Sequence, residues 1–531
     1  MVSKVKEVVV VGSGPSGIHA ALALVERGIR VTLLDGGLTG NHTSAEQLGM
    51  PFTHLKRHPA QDRVFLGPHA SGILDEEGGT MHSKLRTQGR WSYVTAQTAR
   101  ALPLQTKNVS LLQTLAQGGL SEVWGGACDF FSQEELAING LSLHEMQKTY
   151  QEIIDRIGVS GNSPHYRLLP LARQSILTAS LLKEKKGRKS FLLAPSFLAL
   201  LTRPLDNRKP ATYQDIDYWL EEDKALYHAK YTLHDLLRNP LFTYIPGRVV
   251  QEIRNTPRGL VVHARSLDDR KTHTYRATYV LLGAGAANST RIALQSLKLF
   301  SIPVPFITKT HVLTPCIVPR TLFDNPDHKK HSLCQLLVRD GLRTGPSDMT
   351  YTQLYAYSSL LYYKLVPYIP LPAPQALRLA SLLGPSFVIA DTRFPSLSPT
   401  ATLSLTPAGQ LSLSLLSPKH ALSSEQNKRY RALRAYLRSQ GMYPLSTIIP
   451  PEGSTAHYAG GIAYSDTPGV LSSDAQGEIH QLPGVFVVDS ARWSILPGKP
   501  PALTLMAQAR LTGQRLAERI LQHTRFYKKR K

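Results

Sequence analysis

The stretch VVVVGSGPSGIHAALALVERGIRVTLLD, residues 8–35, decides the fold. It begins with four consecutive valines, an apolar run that predicts a strand buried on both faces. Gly12, Gly14 and Gly17 follow in the spacing G-x-G-x-x-G. In this motif the first glycine permits a tight turn, the second lets the backbone approach a pyrophosphate, and the third lets the next helix pack closely. The stretch therefore predicts a dinucleotide-binding turn.

The residues after the glycine motif complete a strand–turn–helix–strand unit. Helical periodicity over residues 18–27 ends at Gly28, and a second apolar run ends at Asp35. An acid at this distance from the glycines is placed to accept a hydrogen bond from a ribose hydroxyl. Pro15 and Ser16 lie between the glycines and belong to the same predicted site. On its own the unit fits NAD and FAD equally.

Composition narrows the class of protein. The chain has 531 residues, enough for two or three domains, and Lys and Arg exceed Asp and Glu to give a net charge of +23. This excess favours anionic partners, which include an anionic membrane surface. Because no zinc-finger spacing or basic heptad pattern occurs, we expect no nucleic acid partner.

Cysteine usage and the chain start bear on the compartment. Cys128, Cys316 and Cys334 are far apart and odd in number, which argues against a disulfide framework or a zinc site and predicts no metal. The first strand begins within about seven residues, which leaves no room for a signal peptide. Nothing approaches the ~20 apolar residues of a spanning helix. We therefore expect a cytoplasmic protein.

Two stretches combine basic charge with apolar length. Residues 183–189 (KEKKGRK) precede the apolar residues 191–201, and residues 354–390 are rich in Leu, Tyr, Pro, Ala and Ser. One interpretation is the core and loops of a substrate domain. The other is a surface that docks peripherally on the inner face of a membrane, with Lys and Arg meeting anionic lipid.

The rest of the chain alternates between predicted strands and predicted helices. A β-meander over residues 242–282 leads into a strand, a glycine turn and a helix start. Residues 401–416 predict a hairpin about Ala408 and Gly409, and residues 485–488 predict a final strand before a long helix. The predicted fold class is α/β, with a Rossmann-like domain and a discontinuous mixed-β substrate domain.

Four separated stretches carry a resemblance to a known family. They are the glycine motif of residues 8–35, GGLSEVWGG at 118–126, VLLGAGAANSTRIALQS at 280–296, and the C-terminal part from His457 through residues 471–509. In this order and spacing they resemble the glucose–methanol–choline (GMC) oxidoreductases, which are FAD enzymes. The resemblance implies that FAD is the cofactor and that substrates are small-molecule alcohols or apolar molecules. It leaves the electron acceptor open.

The resemblance also implies a domain division. An FAD-binding domain would comprise residues 1–160, 236–305 and 453–531, the last part carrying the catalytic loop. Residues 161–235 would form a cap or substrate segment, and residues 306–452 the substrate-binding domain.

The final stretch is the most specific of the four. Asp489 ends an apolar strand, where ligands bind in open α/β sheets, and its carboxylate can accept from ribityl hydroxyls. Ser490 adjoins it. Pro501 stiffens the approach to a helix whose free N–H groups, near Ala502 and Leu503, form an anion site. In the family this helix start faces the pyrimidine edge of the flavin.

The two middle stretches and one further strand supply the remaining predicted cofactor contacts. Glycines in the first would let the backbone approach the flavin ring, and glycines in the second would let a strand pass beside the first motif. A strand after the inter-domain return would offer backbone to adenine, through Val249 or Val250. The predicted residues are Gly119, Ser121, Trp124, Gly125, Gly126, Val250, Gly283, Ala284 and Gly285.

His457 is the predicted catalytic residue. HYAGG resembles the family's H-x-x-G segment, which places a histidine above the flavin. Alcohol oxidation needs a base for the hydroxyl proton while hydride leaves carbon for flavin N5, and histidine titrates near neutrality. The sequence therefore predicts an FAD-dependent oxidoreductase acting on CH–OH groups, as an oxidase or a dehydrogenase.

One position departs from the family pattern. The family usually has a second His or Asn just before the proline of the helix elbow, and here that place is Pro500. Lys499, Tyr458 or His480 could supply the missing charge or donor. Two alternatives stay open because of this departure: a flavoenzyme of different chemistry, such as double-bond reduction, and a non-catalytic flavoprotein.

Overall fold

The fold is described from a computed structural model. It describes residues 7–40, 91–172, 191–211, 224–319, 333–340, 347–356, 369–372, 374–376, 378–379, 386–417 and 421–529. The basic stretch 183–189 lies outside these ranges. Of the apolar stretch 354–390, the described ends belong to two strands of a sheet, and the docking surface predicted there stays a prediction. Within the described ranges, no helix combines the length and the hydropathy needed to span a bilayer.

The strands and helices are numbered here in chain order. The strands are β1 (Val8–Val11), β2 (Val31–Leu34), β3 (Leu104–Lys107), β4 (Ala127–Cys128), β5 (Phe191–Pro195), β6 (Phe197–Leu198), β7 (Phe242–Ile245), β8 (Arg248–Thr256), β9 (Gly259–Ser266), β10 (Thr272–Ala277), β11 (Tyr279–Leu282), β12 (Val304–Ile307), β13 (His311–Ile317), β14 (Leu336–Asp340), β15 (Tyr351–Ala356), β16 (Phe387–Arg393), β17 (Ala401–Leu405), β18 (Leu411–Leu415), β19 (Tyr443–Pro444), β20 (Ala459–Gly460) and β21 (Val485–Val487). The α-helices are α1 (Pro15–Val25), α2 (Thr98–Ala101), α3 (Gln133–Ile138), α4 (Leu143–Ile157), α5 (Ala229–Leu236), α6 (Ala286–Leu297), α7 (Ser424–Ser439) and α8 (Ala502–Lys529).

A parallel sheet of five strands, in the order β21-β11-β1-β2-β7, forms the centre of the Rossmann-like part. The four valines of β1 are buried on both faces of this sheet, as the sequence predicts. Val8 and Val10 pack into the core beneath α1, and Val9 and Val11 pack into a second core that includes Ile253 and Ile292. The α/β fold class is confirmed.

Two further sheets form the β-rich part of the molecule. The first has the order β20-β12-β17-β18-β3, and the second has the order β19-β13-β16-β15-β14-β5. The chain enters and leaves these sheets several times, since β3 and β5 come early in sequence and β19 and β20 come late. The meander β8–β10 is a separate antiparallel sheet.

Glycines determine how closely α1 packs on the parallel sheet. A Cβ atom at Gly17 would lie 1.9 Å from the carbonyl oxygen of Gly12, and one at Gly12 would lie 2.6 Å from that of Gly283. Gly12 also has a φ of +94°, which L side chains rarely adopt. The start of α1 therefore packs directly on the backbones of β1 and of the turn after β11.

Gly17→Ala tests this packing. Because the contact is with fixed backbone, we expect the free energy of unfolding to fall by about 1–3 kcal/mol, and the protein to lose bound flavin. Gly469→Ala is the matched control, because the nearest atom to its Cβ would be the Ser472 hydroxyl at 3.6 Å. Urea denaturation and flavin absorbance measure both effects. Equal behaviour of the two variants would contradict the account.

Candidate functional site

One cavity is lined by residues from both the parallel sheet and the β-rich part. It brings together most of the site residues predicted from the sequence, although they come from stretches far apart in the chain. Those that line it are Gly12, Gly14, Pro15, Ser16, Asp35, Gly119, Ser121, Trp124, Gly125, Val250, Gly283, Ala284, Gly285, His457, Asp489, Ser490, Pro500, Pro501 and Ala502. Their individual contacts to a cofactor stay predictions.

Three predicted residues lie beside the cavity and do not line it. Gly17 sits in the helix–strand contact described above. A Cβ at Gly126 would meet the Leu226 side chain at 2.5 Å, so this glycine serves the packing of its turn. Leu503 is fully buried and packs in a core cluster with Met506 and Tyr150. The close packing at Gly17 is the role that the motif predicts for its third glycine, and cofactor contacts of Gly126 and Leu503 stay predictions.

The start of α1 presents an anion site to the cavity. Gly14 is the N-cap of the helix and Pro15 occupies its first turn, and the side chain of no described residue caps the helix start. The free N–H groups at such a start, together with the helix dipole, attract phosphate. Gly119 lets its backbone lie close to this helix start, because a Cβ atom there would lie 2.9 Å from the Cα of Gly14.

Asp35 ends the second strand and is held by partners that the sequence did not identify. Its carboxylate accepts hydrogen bonds from the Ser13 backbone N–H at 3.1 Å, the Ser13 hydroxyl at 2.6 Å and the Tyr244 hydroxyl at 3.0 Å. Burial raises the pKa of Asp35 above its usual range, and these hydrogen bonds work in the opposite direction. The network fixes the orientation of the carboxylate at the cavity wall.

Asp489 occupies the equivalent place at the end of β21. One of its oxygens accepts from the Gly285 N–H at 2.9 Å and the Ser289 hydroxyl at 2.5 Å, and the other accepts from the Ala491 N–H at 2.9 Å. Burial raises the pKa of this carboxyl to about 6, while the hydrogen bonds lower it. Asp489 therefore ties the end of β21 to the start of α6.

Arg291 is a cavity residue that sequence reasoning missed. It lies on α6, lines the cavity and is only 5% exposed. Burial lowers its pKa to about 10, and no carboxylate of the described residues pairs with it. Its Nε has no hydrogen-bond partner there, and neither has the Oδ1 of nearby Asn288. A buried cation without a counter-charge is costly, so this site favours an anionic ligand.

These features fit FAD. The helix start and Arg291 suit a diphosphate, while Asp35 and Asp489 offer buried carboxylates to the hydroxyls of a ribose and a ribityl chain. Gly12 and Gly119 let neighbouring backbone segments pack closely around the site, because a Cβ at either position would clash with backbone atoms.

A polar wall lines the cavity on the side of the six-stranded sheet. We use this name for His311, Gln353, Tyr355, Asp391 and Arg393, which all line the cavity. The register pairs His311 with Arg393 and Gln353 with Asp391, and residues two apart on one strand share a face. Arg393 donates to Asp391 at 2.8 Å, and the Tyr355 hydroxyl donates to Gln353 Oε1 at 3.0 Å.

His457 lies in the loop before β20 and lines the same cavity as the polar wall. Its Nδ1 lies 3.4 Å from Nζ of Lys309, and its backbone N–H donates to the Thr455 hydroxyl at 3.3 Å. Lys309 is fully buried and is a second residue that sequence reasoning missed.

The residues considered as substitutes for the missing His or Asn are differently placed. Lys499 pairs with Glu135 at 2.7 Å, and His480 contacts the carbonyl of Ser465; neither lines the cavity. Tyr458 does line it, but its hydroxyl donates to the Gly453 carbonyl and accepts from the Leu112 N–H. Pro500 itself lines the cavity.

Arg291→Met tests the anion site. Removing the buried charge should raise the thermal midpoint of the apoprotein and weaken FAD binding about tenfold, because the charge is compensated only by the ligand. Fluorescence titration of apoprotein with FAD measures the affinity, and Arg291→Lys is the charge-retaining control. An apoprotein that is less stable, with unchanged FAD affinity, would contradict this role.

Comparison with known proteins also points to FAD as the ligand of this cavity. The family model described as FAD dependent oxidoreductase matches residues 7–359. A search of curated proteins finds no match. Among solved structures, pyridoxine 4-oxidase from Mesorbium loti is similar, with a TM-score of 0.59 and 14% identity over 96% of this chain and 99% of that chain. This likeness shows the shared fold. The cofactor is FAD, and the chain belongs to the FAD-dependent oxidoreductase family.

Proposed function

We propose that this oxidoreductase is a GMC-type enzyme that oxidises the CH–OH group of a small polar alcohol, with His457 as the base. The observation that carries the proposal is the position of His457, which lines one cavity together with the glycine motif, Asp489 and the polar wall. A substrate in this cavity would lie between the residues for FAD and the wall. The order of the four sequence stretches supports the same family.

The chemistry divides between the cofactor and the chain. Bound FAD supplies a hydride acceptor. His457 takes the proton of the substrate hydroxyl, which an imidazole can do at neutral pH. The helix start near Ala502 offers N–H groups at the cavity, where developing negative charge is stabilised.

The polar wall argues for a polar substrate. Nε2 of Gln353 and Nε of Arg393 are buried donors without hydrogen-bond partners among the described residues. Because unsatisfied buried donors are costly, an acceptor on the substrate would complete them. This favours an alcohol with a second oxygen or ring nitrogen over the apolar substrates considered from the sequence. The structurally similar protein is named as an oxidase of pyridoxine, itself a polar molecule.

Pro500 supports a second candidate, a flavoenzyme of different chemistry such as double-bond reduction. It lines the cavity where the family usually offers a polar side chain, and the side chain of proline can neither donate nor accept a hydrogen bond. Product analysis separates the two functions. A carbonyl product with unchanged carbon–carbon unsaturation supports alcohol oxidation and excludes the alternative.

His457→Ala tests the base. We expect the rate of anaerobic flavin bleaching by an alcohol substrate to fall about 10²–10⁴-fold, with FAD content unchanged. His480→Ala is the control, because His480 contacts Ser465 and lies away from the cavity. Stopped-flow absorbance measures both variants. A His457→Ala enzyme with full turnover would rule out the assigned base.

Gln353→Leu tests the polarity of the substrate. The change keeps the volume of the side chain but removes its amide donor and the acceptor of the Tyr355 hydroxyl. KM for a polar alcohol should therefore rise about tenfold while flavin content stays the same. Steady-state kinetics with a polar alcohol and its apolar analogue provide the measurement. If the variant and the wild type show the same ratio of kcat/KM for the polar alcohol and its apolar analogue, the wall does not contribute to substrate recognition.

A further inference from the structure

Among the described residues, the buried amine of Lys309 has three hydrogen-bonding neighbours, and their chemistry links its protonation state to the tautomer of His457. Nζ lies 3.2 Å from the Lys499 carbonyl oxygen, 3.4 Å from the Gly498 carbonyl oxygen and 3.4 Å from His457 Nδ1. The two carbonyl oxygens can only accept. The imidazole nitrogen can donate or accept, depending on which ring nitrogen carries the proton.

A neutral amine matches these neighbours atom for atom. It has two N–H groups for the two carbonyls and one lone pair for an Nδ1–H donor. An ammonium group would instead direct its third N–H at Nδ1, and a neutral imidazole would then carry its proton on Nε2. Such an Nε2 could not take a proton from a substrate. The protonation state of Lys309 therefore selects the tautomer of His457.

The electrostatic surroundings favour the neutral amine. Burial holds the pKa of Lys309 well below its usual range and Arg393 lowers it further, whereas Asp391 and Glu135 raise it. Both carboxylates already have cationic partners, since Asp391 pairs with Arg393 and Glu135 pairs with Lys499. Among the described residues, Lys309 itself is in no ion pair.

The backbone beside Lys309 is fixed. The hydroxyls of Thr308 and Thr310 each donate to one oxygen of Glu452 at 2.8 Å. The Phe394 N–H donates to the Thr310 carbonyl at 3.1 Å. Glu452 precedes the loop of His457, so one carboxylate connects the segment of Lys309 to the segment of the histidine. The amine is held in place by its neighbours and cannot easily turn away.

We propose that Lys309 is a positioning residue whose lone pair accepts the Nδ1–H of His457, which keeps Nε2 of His457 as the base for the substrate hydroxyl. When Nε2 takes that proton, the imidazolium keeps its Nδ1–H directed at the lone pair, which stabilises the new charge. The inference rests on the proposed role of His457 and extends it. It also compensates in part for the absence of a second His or Asn at Pro500.

This arrangement has a consequence for the acidic side of the pH–rate profile, where the loss of activity should involve two protons. The active state requires both His457 and Lys309 to be unprotonated, so protonation of either group removes the base. Below both pKa values, the logarithm of the rate of flavin reduction should fall with a slope approaching about two per pH unit in the wild type.

Two variants test the proposal through anaerobic stopped-flow reduction across pH. Lys309→Met removes the acceptor, and we expect reduction about 10²-fold slower. Lys309→Gln restores an acceptor, since its amide oxygen can take the Nδ1–H while its NH₂ donates to the carbonyls. This variant should stay within about tenfold of the wild-type rate, with an acid slope of about one because glutamine does not titrate.

Lys298→Met is the control, because Lys298 is half exposed and pairs with Glu252. A Lys309→Met enzyme with the wild-type rate and pH profile would overturn the proposal. If Lys309→Met fails to fold or to hold FAD, the test rests on Lys309→Gln. An acid slope of about two in Lys309→Gln, unchanged from the wild type, would overturn the proposal. His457→Ala separates the two claims: if it keeps full turnover, the proposed base fails, and if it alone loses turnover, only the role of Lys309 fails.

Discussion

The contact of three backbones at Gly12, Gly17 and Gly283 is the constraint on which the site depends. Side chains are excluded there, because a Cβ at any of the three would lie within 2.7 Å of another backbone atom. The contact places the start of α1 beside the ends of β1 and β11. It thereby sets the position of Gly285, whose N–H binds Asp489 at the end of β21. The cofactor end of the cavity follows from this packing.

Local motifs made the cofactor half of the site predictable. The glycine motif, the acid at the end of β2 and the acid at the end of β21 each follow from short-range rules about strands, turns and helix starts. The same rules predict the helix start near Leu503, but they do not show that the side chain of Leu503 packs into the core. Its neighbours in the core come from α4, far away in sequence.

The substrate half could not be predicted in the same way. The polar wall exists because β13, β15 and β16 pair in a register that brings His311 opposite Arg393 and Gln353 opposite Asp391. Such pairing is non-local, and the sequence offers no turn of fixed length between these strands. Lys309 and Arg291 were missed for a related reason: a single lysine or arginine in sequence gives no sign of burial, and both are unusual only in their surroundings.

Buried charge gives the cavity its chemical character. Asp489, Arg291 and Lys309 all have pKa values shifted by burial toward the neutral form, which is a frequent property of functional sites. Each is compensated in a different way in this account: Asp489 by backbone and hydroxyl donors, Arg291 by an anionic cofactor, and Lys309 by giving up its proton. The fold pre-organises the site before substrate enters.

The most direct test of the central claim is anaerobic titration of the purified, flavin-loaded protein with a panel of polar and apolar alcohols, followed by absorbance and by product analysis. A polar alcohol is expected to bleach the flavin and to yield the corresponding carbonyl compound. Alcohol oxidation would be contradicted if the flavin stayed oxidised with every alcohol. The contradiction would be complete if the same flavin, after chemical reduction, reduced an electron-poor double bond.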